Sequence, residues 1–285
     1  MSDPKVTKKI LYVSSEIFPY MPETDISVAG RYLPQGIQEA GKEIRAFMPR
    51  YGIVNERRNQ LHEVIRLSGM NIVVDDTDRP LTIKVASISQ ARMQVYFIDN
   101  EDYFKRKAIY TDEAGKYFPD NDERAIFFAL GVMETVKKLR WEPDIVHCEG
   151  WISYFLPIFL KKAYNSDPIF SKTKVVLSLY NDCLDQTFPE GVERKLANCS
   201  LSGISESDVS DFIPSDGINL VKLAIRYADG IVSGVPEIDP RLSSFIAERE
   251  LPVMDYAPAS ETDTAYIEKY NSFYDQILPS DDKSR

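Results

Sequence analysis

Histidine is nearly absent from this chain. Only His62 and His147 occur in 285 residues, which leaves little room for a metal site built on imidazole. Cysteine is scarce as well. Cys148, Cys183 and Cys199 are odd in number and widely spaced, so no disulfide framework is expected. Basic residues are in deficit, 34 Lys and Arg against 44 Asp and Glu, for a formal charge of −10. A nucleic-acid footprint needs clustered Lys and Arg and is not expected here. No apolar run approaches the roughly 18 residues of a membrane span. The opening MSDPKVTKK lacks the apolar core of a signal peptide, so a cytoplasmic location with reduced thiols is expected. There is no P-loop, G-x-S-x-G elbow or C-x-x-C, no internal repeat and no low-complexity stretch. Neither a cofactor nor a metal is expected.

What is present is ordinary globular material, 44% hydrophobic and 27% charged, enough to bury a sizeable core. Ile10–Val13 is a short apolar run of the buried parallel-strand type. A helical pattern follows around Tyr32, Leu33, Ile37 and Ala40, with Gly41 placed to end it, and Ile44–Met48 reads as the next strand. Between residues 61 and 98, short runs at Glu63–Leu67, Asn71–Val74, Leu81–Ile88 and Met93–Ile98 predict a hairpin-like excursion at the edge of the sheet. Asp120–Arg140 predicts a helix with an Asp120/Glu123 capping pair. Asp144–His147 and Lys174–Leu179 read as strands flanking a helix over Trp151–Ala163. Asn219–Ala228 is helical and Gly230–Ser233 strand-like. Alternating strands and helices predict an α/β, Rossmann-like, doubly wound and mostly parallel sheet with helices on both faces. The domain is expected to span 8–250, followed by a 251–285 tail with one amphipathic helix. Residues 1–7, 200–215 and those after Pro279 are the expected disordered pieces.

Several ordered motifs carry a resemblance. Ser15, Glu16, Pro19, Leu33 and Pro34 stand ungapped around the loop Pro22–Val28. Pro143-Asp144-Ile145-Val146-His147-Cys148-Glu149-Gly150-Trp151 spans a buried strand and the turn at its end. Lys174–Asn181 and Asn219–Ser233 complete the series. Together they resemble the N-terminal domain of bacterial glycogen and plant starch synthases, which are GT-B glucosyltransferases. That family has S-E-x-x-P, K-x-G-G-L-A-D-V, P-D-[IV]-[IV]-H-x-H-D-W-H and F-T-x-H-N. Against those patterns Pro22 stands at the lysine, Thr24 and Asp25 at the two glycines, and Val28 at the aspartate. Glu149, Gly150 and Ile152 replace His, Asp and His, and Tyr180 replaces a further His while Asn181 remains.

The resemblance implies a synthase fold without synthase chemistry. Glycines in a tight loop let backbone N–H groups reach a diphosphate, and a lysine neutralises it. Pro22 has neither charge nor donor, and Asp25 repels phosphate. The family also needs a second Rossmann-like domain, which is not expected in residues 235–285. The leading expectation is therefore a non-catalytic, glucan-binding or regulatory relative with no catalytic residues of its own. Tyr20, Trp151, Tyr180 and Asn181 are expected to lie together and meet an α-glucan by stacking and hydroxyl contacts. Pro22, Thr24, Asp25 and Glu149 mark the degenerate donor site, with Glu149 facing where the sugar nucleotide would lie. The alternatives are a protein-interaction subunit, or a glucosyltransferase half needing a partner chain. A partner protein or a second copy would dock on the aromatic stripe of the 262–278 helix, the bland reading of which is packing on the chain's own sheet.

Overall fold

Buried apolar runs set the frame. The structure, a computed structural model, describes residues 7–199, 203–261 and 264–279. β1 (Lys9–Ser14), α1 (Asp25–Glu39) and β2 (Glu43–Pro49) form the first unit. β3 (His62–Glu63), β4 (Met70–Val74), β5 (Thr77–Ile88) and β6 (Met93–Asp99) follow, then the short α2 (Glu101–Phe104) and the long α3 (Asn121–Leu139). β7 (Ile145–Glu149), α4 (Leu156–Ile158), β8 (Lys174–Leu179), α5 (Val192–Asn198) and α6 (Gly217–Arg226) come next. β9 (Gly230–Ser233), α7 (Pro240–Ala247), β10 (Val253–Met254) and α8 (Ala265–Ile277) complete the chain. The sheet order is β10-β9-β8-β7-β1-β2-β6-β5-β3, with β4 paired to β5. From β10 to β6 all pairs are parallel. Only the β3–β5 excursion is antiparallel. This is the mostly parallel, Rossmann-like α/β architecture expected, and it aligns the C-terminal ends of β1, β2, β6, β7, β8 and β9 along one edge.

Local expectations failed where distant groups took over. The Asp120/Glu123 capping pair does not form. Asp120 instead makes two 2.6 Å bonds with the Arg106 guanidinium, and Glu123 accepts from Tyr103 and Lys195. The Trp151–Ala163 helix is broken into a 3-10 turn (Trp151–Ser153), α4 and a π turn (Phe159–Ala163), because Pro157 brings no N–H to the ladder. Glu63–Leu67 shrinks to β3. Residues 203–215, expected to be disordered, carry the buried Val209 and Phe212 and a capping box between Ser205 and Asp208. Residues 1–6, 200–202, 262–263 and 280–285 lie outside the described residues. No helix among the described residues is long and apolar enough to cross a membrane.

β10 joins the sheet and α8 lies beside α1 on one face of it. The aromatic stripe Tyr266, Ile267, Tyr270, Phe273, Tyr274 and Ile277 is wholly buried, so it packs on this chain's own core and is not a free partner surface. Two glycines permit the approach. A Cβ on Gly36 would stand 2.3 Å from Ile267 Cδ1, and one on Gly230 would stand 2.5 Å from Ile277 Cδ1. Gly36→Val is therefore expected to lower stability by about 1–3 kcal/mol through overpacking. Hydrogen exchange should then accelerate in α8 ahead of β1 and β7; unchanged α8 protection would refute this docking.

Candidate functional site

The shared strand edge carries three carboxyls, Glu16 and Glu149 buried and Asp182 half-buried. Glu16 follows β1, Glu149 ends β7, and Asp182 lies just past β8. Glu149 is fully buried. The Tyr12 hydroxyl donates to its Oε2, and the Tyr180 hydroxyl to its Oε1 at 2.5 Å. Burial pushes its carboxyl up to about 7, with the bonds from Tyr12, Tyr180 and Ser14 pulling the other way. Below it, His147 joins Tyr274 Oη at 2.6 Å through Nδ1 and Ser178 Oγ at 2.7 Å through Nε2. Burial depresses this imidazole to about 3, so it is neutral. Glu149 thus points into a closed network roofed by α8. The position expected to face the sugar nucleotide has both carboxylate oxygens bonded within the chain. The cause is register: Glu149 pairs with Ser14 and sits two residues beyond His147, on the face that α8 covers.

The loop at the degenerate donor position closes on itself. Thr24 caps α1: Ser27 N donates to Thr24 Oγ1 at 3.0 Å, and Thr24 N donates to Ser27 Oγ at 2.8 Å. Ser27 Oγ in turn donates to the Pro22 carbonyl at 2.7 Å. Asp25 is exposed in the first turn, where its charge favours the helix N-terminus and opposes an anion there. Gly150, at the family's aspartate, takes φ +79°, and a Cβ would stand 2.1 Å from Ser15 Oγ. Only glycine suits that turn.

Glu16 is held by Thr24 Oγ1 at 3.0 Å and is raised to about 7, first by burial and then by Asp182. Asp182, raised to about 6 by burial, accepts from Trp151 N at 2.7 Å and Tyr154 Oη at 3.1 Å. The Arg124 guanidinium is fully buried and faces the rings of Tyr51, Phe104, Phe118 and Trp151. It donates to Tyr103 O at 2.9 Å and Asn121 Oδ1 at 2.6 Å. Four buried polar atoms here lack a partner: Ser15 Oγ, Tyr51 Oη, Arg124 Nη2 and Trp151 Nε1. Buried groups of this kind are normally bonded, so these four stand as unused hydrogen-bonding groups behind the strand edge. Tyr12, Tyr51, Arg124 and Asp182 were not singled out from sequence; their partners are too distant in the chain to leave a local signal.

The four residues expected to meet sugar do not form one patch. Trp151 is 1% exposed and packs on Tyr110 and Arg124. Tyr180 is held by Glu149. Asn181 bridges the loop before α7, donating to Glu237 O at 2.8 Å and accepting from Asp239 N at 3.0 Å. Tyr20 lies on the α1 face, its ring edge-on to Phe97 at 4.9 Å. Their backbones share the strand edge, but their side chains turn to different faces. Among the described residues no cluster of His, Cys, Asp and Glu has the geometry to hold a metal.

The family described as starch synthase catalytic domain matches residues 9–236. Glycogen synthase of Chlorobium limicola is 36% identical over 222 residues, covering 78% of this chain and 44% of the relative. That of Chlorobaculum parvum is 33% identical over 238 residues, covering 83% and 47%. The chain spans about half the length of these curated relatives. The catalytic domain of Starch Synthase IV from Arabidopsis thaliana, bound to ADP and acarbose, superposes with a TM-score of 0.72 at 16% identity, covering 90% of this chain and 53% of that one. That likeness establishes the fold.

Proposed function

Since the chain belongs to the starch synthase catalytic-domain family, we propose that it is a glucan-binding relative that does not transfer glucose at this edge. The observation that carries the reading is where the donor-site positions have gone. Thr24 and Ser27 satisfy each other at the start of α1, and Glu149 and Tyr180 bond each other under α8. A diphosphate would meet Asp25, with no lysine at Pro22 to neutralise it. What remains unpartnered is uncharged and suited to neutral hydroxyls: Trp151 Nε1, Ser15 Oγ, and Tyr51 Oη, which feels the Glu16 and Asp182 carboxyls. Of the four residues first expected to bind sugar, Trp151 stays in this proposal through its indole N–H, and Tyr180 and Asn181 become framework. The reading of a protein-interaction subunit loses its main support, because the α8 stripe is buried.

The test is electrophoresis through a gel containing glycogen, with incorporation from ADP-glucose measured in parallel. Retardation without incorporation is expected. Tyr51→Phe removes an unpartnered hydroxyl and should weaken retardation about 2–10-fold, the value of one hydrogen bond, with no loss of thermal stability. Incorporation that copurifies with the protein, or no retardation of the wild type, would overturn the proposal.

A further inference from the structure

β3 and β10 stand at the two ends of the strand order, and each end carries groups the fold leaves unused. At the β3 end, His62 and Glu63 pair with β5, and pairing resumes at Met70 in β4. The chain loops out between them: Val64 N donates to Ile83 O at 2.8 Å, and Gly69 N to Leu81 O at 3.0 Å. Leu67 turns inward and is buried. Ile65 turns outward and is 83% exposed, more than any other large apolar side chain among the described residues. Arg66 beside it, and Arg57 and Arg58 on the way into β3, are exposed and make no ion pair among the described residues. Glu63 is the one carboxylate in the segment 57–66. This end is an apolar knob among cations.

The β10 end is its complement. A groove of about 600 Å³ lies between β10 and α7, walled by Pro236, Ile238, Ile246, Ala247 and the half-exposed Val253. Its rim is acidic. Glu237 lines it, and Glu248, Glu250 and Asp255 adjoin lining residues in the chain; all four are exposed and make no ion pair among the described residues. The arginines at this end are already matched, Arg241 to Asp239 at 2.7 Å and Arg249 to Asp211 at 3.5 Å. An apolar knob among cations fits an apolar groove among anions, because opposite potentials attract and like ones exclude. One molecule cannot join the two, since the strand row holds them about 40 Å apart. A two-fold contact would set groove on groove or knob on knob, with like charges opposed. A head-to-tail copy meets neither obstacle. β3 is antiparallel to β5, and β5 to β6, so β3 and β10 point the same way, and the next molecule need not turn over.

We propose that this chain binds a second copy of itself head to tail, with Ile65 of one molecule seated in the β10–α7 groove of the next and Arg57, Arg58 and Arg66 facing its carboxylate rim. Such a contact does not close on two molecules and adds copies in a row. It is independent of whether the strand edge holds glucan. The test is sedimentation velocity of the full chain over a wide concentration range at low and high salt. Species that grow past the dimer with concentration, and shrink as salt screens the rim, are expected. Ile65→Asn removes the knob, and Ala247→Arg places a cation in the groove. Both sites are exposed, so both variants should keep the wild-type melting temperature while weakening the contact about 10–100-fold, the effect of one unburied isoleucine. Each alone should therefore sediment as a monomer. Mixed in equal amounts they should form a one-to-one dimer and nothing larger, because the first retains an intact groove and the second an intact knob. A wild type that stays monomeric at every concentration would overturn the proposal. So would either variant associating like the wild type, or a mixture that fails to pair.

Discussion

Trp151→Ala should cost about 3–5 kcal/mol of stability, the range for emptying a large buried aromatic site. Against a typical total of about 5–15 kcal/mol, that brings the domain close to unfolding. The indole is 1% exposed, its ring meets Tyr110 at 6.1 Å, and the Arg124 guanidinium lies 5.7 Å from it. Removing it opens a cavity and uncovers a buried charge that burial already depresses to about 10. Urea denaturation measures the effect as a fall in midpoint, and Trp151→Phe should recover most of it. A wild-type midpoint for the alanine variant would mean that the indole is not core. Trp151→Ala is therefore no probe of glucan binding, because lost retention would report unfolding. Tyr51→Phe removes only a hydroxyl and separates the two effects.

The parts of this fold legible in the sequence are those whose signal is local. Lys174–Leu179 and Gly230–Ser233 are continuous apolar runs between polar breaks, and β8 and β9 have those bounds. The α8 stripe repeats at helical spacing and is buried as a stripe. The motifs around Ser15, Asp144 and Asp229 locate the family because they mark strand ends in fixed order. Side-chain destinations are another matter. Glu149 and Tyr180 replace two histidines at positions 31 residues apart, and nothing local reveals that each is the other's partner. Tyr20 and Trp151 both follow strand ends, yet one turns to the α1 face and the other toward α3. Asp120 sits at a helix start, where local rules assign it to capping, but the long-range Arg106 pair wins because a bidentate guanidinium–carboxylate bond exceeds a single cap bond.

Glu149→Gln should gain on the wild type as pH rises. Burial lifts the Glu149 carboxyl from 4.5 to about 7, so the native state holds this proton more tightly than the unfolded chain. Such a group contributes stability that is complete below about 4.5 and is lost as pH climbs through 7. At about 1.36 kcal/mol per pH unit, the interval amounts to about 3 kcal/mol. Glu16 and Asp182 slope the same way, raised to about 7 and about 6. His147 slopes oppositely: depressed to about 3, it contributes stability above its ordinary 6.5 that is lost as pH falls. The wild-type profile alone therefore mixes opposing terms, and the difference between variant and wild type isolates Glu149. Glutamine keeps the shape, and the Tyr12 and Tyr180 hydroxyls, which both donate and accept, can still bond its amide. The two proteins should be nearly equally stable at pH 4.5, where Glu149 is protonated. By pH 8 the variant should lead by about 3 kcal/mol, read as a widening gap in urea midpoint. A difference that stays flat from pH 4.5 to 8 would mean that Glu149 is ionised throughout, and that it is not sealed under α8.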